Sequence, residues 1–376
     1  MSTEEFLRPR LIGQRFAGHA IPLELLRDLA VLQEMIVDVA KTEFLKDNPS
    51  RQRSPRGFTE GIELKLTGIE DGSAIPVISL VVAASAALFP PANQVYFERA
   101  RDAVVSTIEA AEKNESVTEH LPEKALSYFD KMGRSLREDE AIEFSTPSHQ
   151  ASARLTRNTR RRILLASTKV RELTEEISVR GTIPEADQDR MTFEFQLIGG
   201  PKVQAPIASQ HVDTIVEAFA GYKNGTRVLL QGVGRYNRND RLLGFESVGR
   251  ISILEALDIQ ARLDELRLLK DGWLEGRGVA PSVDGLQWLA VAFDRHYPED
   301  LALPFLYPTE AGDIRAEWSL GTHESSLEIG LAKHAGEWHT LNMDSDYEET
   351  RSLNLNQASD WAWLAKQIQK RSGGEA

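Results

Sequence analysis

The stretch ISVRGTIPEADQDRMTFEFQLIGGPKVQAPI, residues 177–207, decides how the chain is read. Ile177, Val179, Gly181 and Ile183 alternate with polar positions, the period of a half-buried strand. Residues 185–190 are charged and read as a turn. Phe193, Phe195 and Leu197 alternate in a second strand, with the two phenylalanines expected in the core. Gly199-Gly200-Pro201 makes a tight connection. Val203, Ala205 and Ile207 mark a third strand. Val212, Ile215, Val216 and Phe219 then follow helical spacing, closed by Gly221 and Gly225. Residues 227–236 and 241–251 are two further strands, joined by the polar turn Asn237-Arg238-Asn239-Asp240.

The order strand, strand, strand, helix, strand, strand resembles the OB-fold, a small Greek-key barrel that often binds single-stranded nucleic acid. Other small barrels share that order. The resemblance makes Arg235, Tyr236, Arg238 and Arg241 candidates for phosphate contact and stacking. Arg157, Arg160 and Arg161, from a basic cluster upstream, join them. Two features weigh against it. The outer face of the second strand carries Thr192, Glu194 and Gln196, a poor platform for bases. The arginine turn reads more simply as a solvated hairpin tip, and the cluster as neutralisation of acidic neighbours in the same chain.

A length of 376 residues implies two or three domains. The absence of cysteine excludes disulfides, cysteine nucleophiles and thiolate metal sites, and fits a reducing cytosol. The formal net charge is −13, spread as −7 over residues 1–150, +3 over 151–258 and −9 over 259–376. These blocks are the expected domains: an N-terminal α+β domain with linker, a basic helix plus OB-like barrel, and a tryptophan-rich α+β module with an antiparallel meander. The expected class is therefore multidomain α+β. Residues 1–10 are polar and show no signal peptide. The uncharged stretch 72–97 is broken by prolines and reads as a buried strand and loop, not a membrane span. A cytoplasmic location without membrane contact follows.

In the first block, residues 11–16 read as a strand. Leu25, Leu29, Leu32, Ile36 and Val39 read as a helix that Asn48-Pro49 ends. Ile62, Leu64 and Leu66 alternate in a strand, 75–82 pairs back, and 93–114 is an amphipathic helix. Residues 133–153 look linker-like, acidic at Glu138-Asp139-Glu140 and then rich in Ser, Thr, Pro and Gln. In the last block, 256–269 and a segment around Leu286 and Phe293 are helices. Four strands follow at 303–307, 314–318, 327–331 and 337–343, then a helix at 357–368. All six tryptophans fall in this block. They suit the core of a small sheet domain or a recognition surface. On the second reading, Trp273 and Trp338, with acidic Asp344 and Asp346, are candidates for partner binding.

Leu269-Lys270-Asp271-Gly272-Trp273, its glycine-rich loop and Ala280-Pro281, with the later segment from Pro308 to Glu317-Trp318, resemble a small module of uncharacterised bacterial proteins. Those proteins look like accessory genes of mobile elements, some in toxin–antitoxin or phage-defence operons. The resemblance covers roughly a third of the chain. Leu274 departs from the aspartate expected after Gly-Trp, and no active site comes with the resemblance.

The sequence contains no phosphate-binding loop, zinc-protease motif or serine elbow. The acidic run at 344–349 lacks the turn glycine of a calcium loop. His323, His334 and His339 read as surface or turn residues. Glu63 and Lys65 form half of a magnesium-nuclease pattern, without a second carboxylate. No catalytic residue, metal site or cofactor is therefore expected. The leading expectation is an interaction or regulatory subunit. It would bind a protein encoded in the same operon, such as a toxin or defence effector, with acidic surfaces that suit a basic partner. The alternatives are nucleic-acid or nucleotide binding through the barrel, and a metal-dependent nuclease. Homo-oligomers stay open.

Overall fold

The computed structural model describes residues 2–70, 74–82, 93–146, 149–345 and 347–372. The chain is α+β and divides into two units, residues 1–177 with 232–247, and residues 178–231 with 248–376.

The first unit opens with β1 (Ser2–Leu7) and β2 (Arg10–Ile12), followed by α1 (Leu23–Asp47). α1 forms because apolar residues recur every three or four positions, which puts Leu25, Leu32, Ile36 and Val39 on one buried face. Asn48 closes it, its side chain donating to the Phe44 carbonyl at 2.9 Å. β3 (Ile62–Glu70) and β4 (Ile75–Val82) pair antiparallel, and with β1 they form a sheet in the order β1–β4–β3. α2 (Gln94–Glu112) packs on α1, and the short α3 (Glu123–Leu126) follows. The strand expected at 11–16 is only β2, after which a 3-10 turn takes over, and β1 lies ahead of any expected element. Within the uncharged stretch, β4 and the start of α2 are described, and residues 72–73 and 83–92 lie outside the described residues.

Residues 133–153 are not a linker. They contain β5 (Ala141–Thr146) and the start of β6 (His149–Leu155), which join β2 in a second sheet. Leu136, Ile142, Phe144, Ala153 and Leu155 are buried. Glu140 is 2% exposed. Arg15 grips it with two hydrogen bonds, Nε to Oε1 at 2.9 Å and Nη2 to Oε2 at 2.8 Å. A local reading of an acidic run misses this because the cation lies 125 positions away.

Asp28 shares this polar interior. It is buried in α1 and accepts from Ser135 Oγ at 2.8 Å and the Gly133 N–H at 3.2 Å. Burial chiefly pushes its carboxyl up to about 6 from an ordinary 3.8, against the lowering effect of Ser135. The folded state thus holds this proton more tightly than the unfolded chain. The stability from this group is full below 3.8 and is lost as pH rises through about 6. Asp28→Asn is expected to flatten the stability profile across that window and to be more stable than the parent at neutral pH. Urea unfolding at stepped pH measures this. Parallel profiles for parent and variant would assign the pH dependence elsewhere.

α4 (Arg157–Ala166) leads into β7 (Glu172–Asp187), β8 (Thr192–Leu197) and β9 (Lys202–Pro206), then α5 (Val212–Ala220), β10 (Val228–Asn237) and β11 (Leu242–Ile253). The hydrogen-bonded order is β10–β11–β9–β8–β7, and the sheet closes on itself. β7 runs through the charged segment as far as Asp187, so the turn is shorter than expected. Phe193 and Phe195 are buried as the alternation requires. Gly181 allows the close strand approach: a Cβ there would sit 2.1 Å from the Gln196 carbonyl oxygen.

The rest of the second unit holds α6 (Ile259–Leu266), α7 (Val283–His296), a meander of β12 (Phe305–Pro308), β13 (Ile314–Leu320), β14 (His323–Gly330), β15 (Ala335–Asn342) and β16 (Tyr347–Asn354), and α8 (Ala358–Ser372). The sheet order follows the chain. β16 is a fifth strand beyond the four expected, and it begins within the acidic run at 344–349. Alternation places Ile314, Ala316, Trp318, Leu327, Ile329 and Trp338 on one face, buried in a core shared with Leu289 and Phe293 of α7 and Trp361 and Leu364 of α8. Among the described residues no helix is long and apolar enough to cross a membrane.

Candidate functional site

The arginine candidates come together in the first unit, but mostly as internal structure. Thr156 caps α4, its hydroxyl accepting from the Thr159 N–H at 3.1 Å. Arg157 and Arg161, one helical turn apart, face a polar cleft of about 520 Å3 whose walls include Glu138, Glu175, Tyr236 and Asp240. Arg157 pairs with Glu175, and Arg161 with Asp240. Tyr236 is half-buried, and burial first and Glu175 second push its hydroxyl up to about 12, so it stays neutral. Arg160 points the other way. It is 1% exposed and donates to the carbonyls of Phe129 (2.6 Å), Asp130 (2.5 Å) and Thr174 (2.7 Å). Burial lowers its guanidinium to about 10, still charged at neutral pH. Arg160 is therefore withdrawn as a ligand contact.

Arg238 is committed as well. It donates to the carbonyls of Leu165 (2.7 Å), Ser167 (3.0 Å) and Val170 (2.8 Å), stapling the β10–β11 turn to the end of α4. Arg235 lies 3.5 Å from Glu172. Arg241, like Arg238, Asn239 and Asp240 of that turn, is exposed. The cluster neutralises carboxylates of its own chain, and the cleft mixes both signs of charge.

Of the partner candidates, Trp338 is 1% exposed and belongs to the core, so it is withdrawn as a contact residue. Trp273 is half-buried and plugs its own loop: its Nε1–H donates to the Val279 carbonyl at 3.1 Å. Gly278, at φ +87°, leaves no room for a Cβ beside that indole. Asp344 is exposed, and Asp346 lies outside the described residues. Glu63 and Lys65 pair with each other at 2.7 Å. The neighbouring β4 sets Val81 and Ser79 beside them, neither a carboxylate. Among the described residues no cluster of three metal-ligating side chains forms.

The surface that stands out is the outer face of the C-terminal meander. Strand register puts Glu317, Glu324, Glu328, Glu337 and Glu348 on it, with Arg315 as its one strong cation. Glu328 and Glu337 are directly opposed, and both are exposed. Like charges at directly opposed positions weaken a strand pair. Glu348 finds His339 at 2.7 Å, and Arg315 finds Glu317 at 2.9 Å. Phe305 and Tyr307, 49% and 44% exposed, stack at 6.5 Å on the edge strand β12 of the same face. Sequence reasoning missed these glutamates, although the signal was there: Glu324, Ser326 and Glu328, then Glu337 and His339, occupy every second position opposite the buried set. No protein-family model, curated protein or solved structure matches the chain.

Proposed function

We propose that the chain is a non-catalytic interaction subunit that docks a basic partner protein on the outer face of its C-terminal sheet. The observation that carries this is the Glu328–Glu337 opposition within a face of five glutamates and one arginine. The free sheet bears an electrostatic cost there, offset only in part by Arg315 opposite Glu328, that a partner's lysines or arginines would relieve. The aromatic pair at the edge adds the apolar contact that anchors an interface. A toxin or anti-phage effector encoded beside this gene is the partner class implied by the resemblance of residues 269–318 to a module of bacterial accessory proteins.

The test is a pull-down from the native host at moderate salt, followed by association kinetics with the protein recovered. One stoichiometric basic protein is expected. Glu328→Lys with Glu337→Lys should slow its association at least about tenfold at low salt, because rim charges act mainly on the on-rate. Single Glu337→Lys should raise the melting temperature slightly, since it turns a like-charged pair into an attractive one. Unchanged association kinetics, or no co-purifying protein, would defeat the proposal.

A second reading has support in the closed sheet. Its strands run first, second, third, fifth, fourth, with α5 between the third and fourth, an order that resembles the OB-fold's and supports that reading. That reading assigns single-stranded nucleic acid to the barrel and rests on Arg241 and Arg235. It requires salt-sensitive binding that falls when both are replaced by glutamate. Binding indifferent to those changes would end it.

A further inference from the structure

β3 lies at the edge of the β1–β4–β3 sheet, and among the described residues no strand pairs with its outer side. From Ile62 to Leu66 it reads Ile-Glu-Leu-Lys-Leu. Ile62, Leu64 and Leu66 share a face and stand opposite Val82, Leu80 and Ile78 of β4. A groove of about 200 Å3 runs along that face beneath α1, with Leu26, Leu29, Leu64 and Leu66 among its walls. Leu26 and Leu66 are 38% and 48% exposed there. Glu63 and Lys65 occupy the other face, both well exposed. An open edge with apolar residues at its rim is a template for another strand.

We propose that β3 is a self-association edge, to which a second copy of this chain adds its own β3, antiparallel, about a two-fold axis at Leu64. Charge selects this register. Opposed residues in an antiparallel pair point to the same face, so a two-fold pairing of β3 with itself must centre on one residue. Centring on Glu63 sets glutamate against glutamate, and centring on Lys65 sets lysine against lysine. Both are destabilising. Centring on Leu66 runs into the irregularity between Leu66 and Gly68. Centring on Leu64 sets each Glu63 against the second copy's Lys65, twice over, and each Ile62 against the second copy's Leu66. The apolar face then continues from one sheet into the next. The opposing account is that Glu63 and Lys65 guard a lone edge, the usual use of charge at such positions.

Charge reversal separates the two accounts. Sedimentation of the full chain over a concentration series should show a reversible dimer. Glu63→Lys alone, or Lys65→Glu alone, makes both cross-strand pairs like-charged and should weaken dimerisation about tenfold. Glu63→Lys combined with Lys65→Glu restores unlike pairs and should recover the parent affinity to within about threefold. Circular dichroism melts confirm that each variant folds. A wild type that stays monomeric makes the two charges edge guards and overturns the proposal. So does a dimer that ignores the single reversals, or one that the double exchange fails to restore.

Discussion

Arg160→Met is expected to destabilise the first unit by about 3–5 kcal/mol, the range seen when one partner of a buried charged network is removed. Methionine can follow the path of the aliphatic stem but donates nothing. The carbonyls of Phe129, Asp130 and Thr174 lose the guanidinium inside the protein, that of Asp130 keeping the Thr174 hydroxyl at 3.1 Å. Each unsatisfied group costs about 1–3 kcal/mol, less what relaxation or entering water recovers. Against a total of about 5–15 kcal/mol for an ordinary domain, this leaves a marginal fold. Arg160→Lys should fall between parent and Met, because an ammonium keeps the charge but cannot span three carbonyls in a planar fork. Arg161→Ala, one residue away, removes a partly exposed pair with Asp240 and should cost under about 1 kcal/mol. Urea unfolding of the four proteins checks the series. An Arg160→Met variant as stable as the parent would mean that the carbonyls find other donors.

That contrast shows how much of the basic cluster was readable. Arginines at 157, 160, 161 and 162 look alike as composition. On a helix they do not share a face: Arg160 falls with Ile163 and Leu164, at i+3 and i+4, which are buried. The periodicity was in the sequence. The carbonyls that hold the guanidinium were not, because they come from residues 129–130 and 174 with no side-chain signature. The same limit explains Glu140, whose partner Arg15 is remote. Elements with strong local periods were legible: β4 spans the expected 75–82, and α1 and α2 lie close to their expected bounds. β5 was hidden because its alternation follows the acidic run Glu138-Asp139-Glu140, and β16 because its outward residues are polar and its start is acidic. The acidic face was hidden for another reason. Its glutamates are spread over four strands, and only register brings them side by side.

Register also makes neighbours in β15 behave oppositely. Trp338→Ala is expected to cost about 3–5 kcal/mol, as for other buried aromatic truncations. The indole sits on the inner face of the sheet, between Leu327 and Arg351 in register. Its ring is 5.8 Å from that of Trp318, tilted by 51°, and 6.2 Å from that of Trp363, edge-on at 89°. The Arg371 guanidinium lies 5.8 Å from its centroid. Truncation empties the meeting point of the sheet and α8. Among the described residues the indole N–H has no hydrogen-bond partner, so Trp338→Phe loses volume without orphaning an acceptor and should cost roughly 1–2 kcal/mol. Glu337 is the preceding residue on the opposite face, and its reversal should leave the fold intact while slowing partner association. Denaturation and binding measured on both variants therefore separate core from interface. Trp338→Ala should lose partner binding only in proportion to the unfolded fraction, and Glu337→Lys should slow it while fully folded. A stable Trp338→Ala variant that had lost the partner would return Trp338 to the interface and move the docking surface to the other face of the sheet.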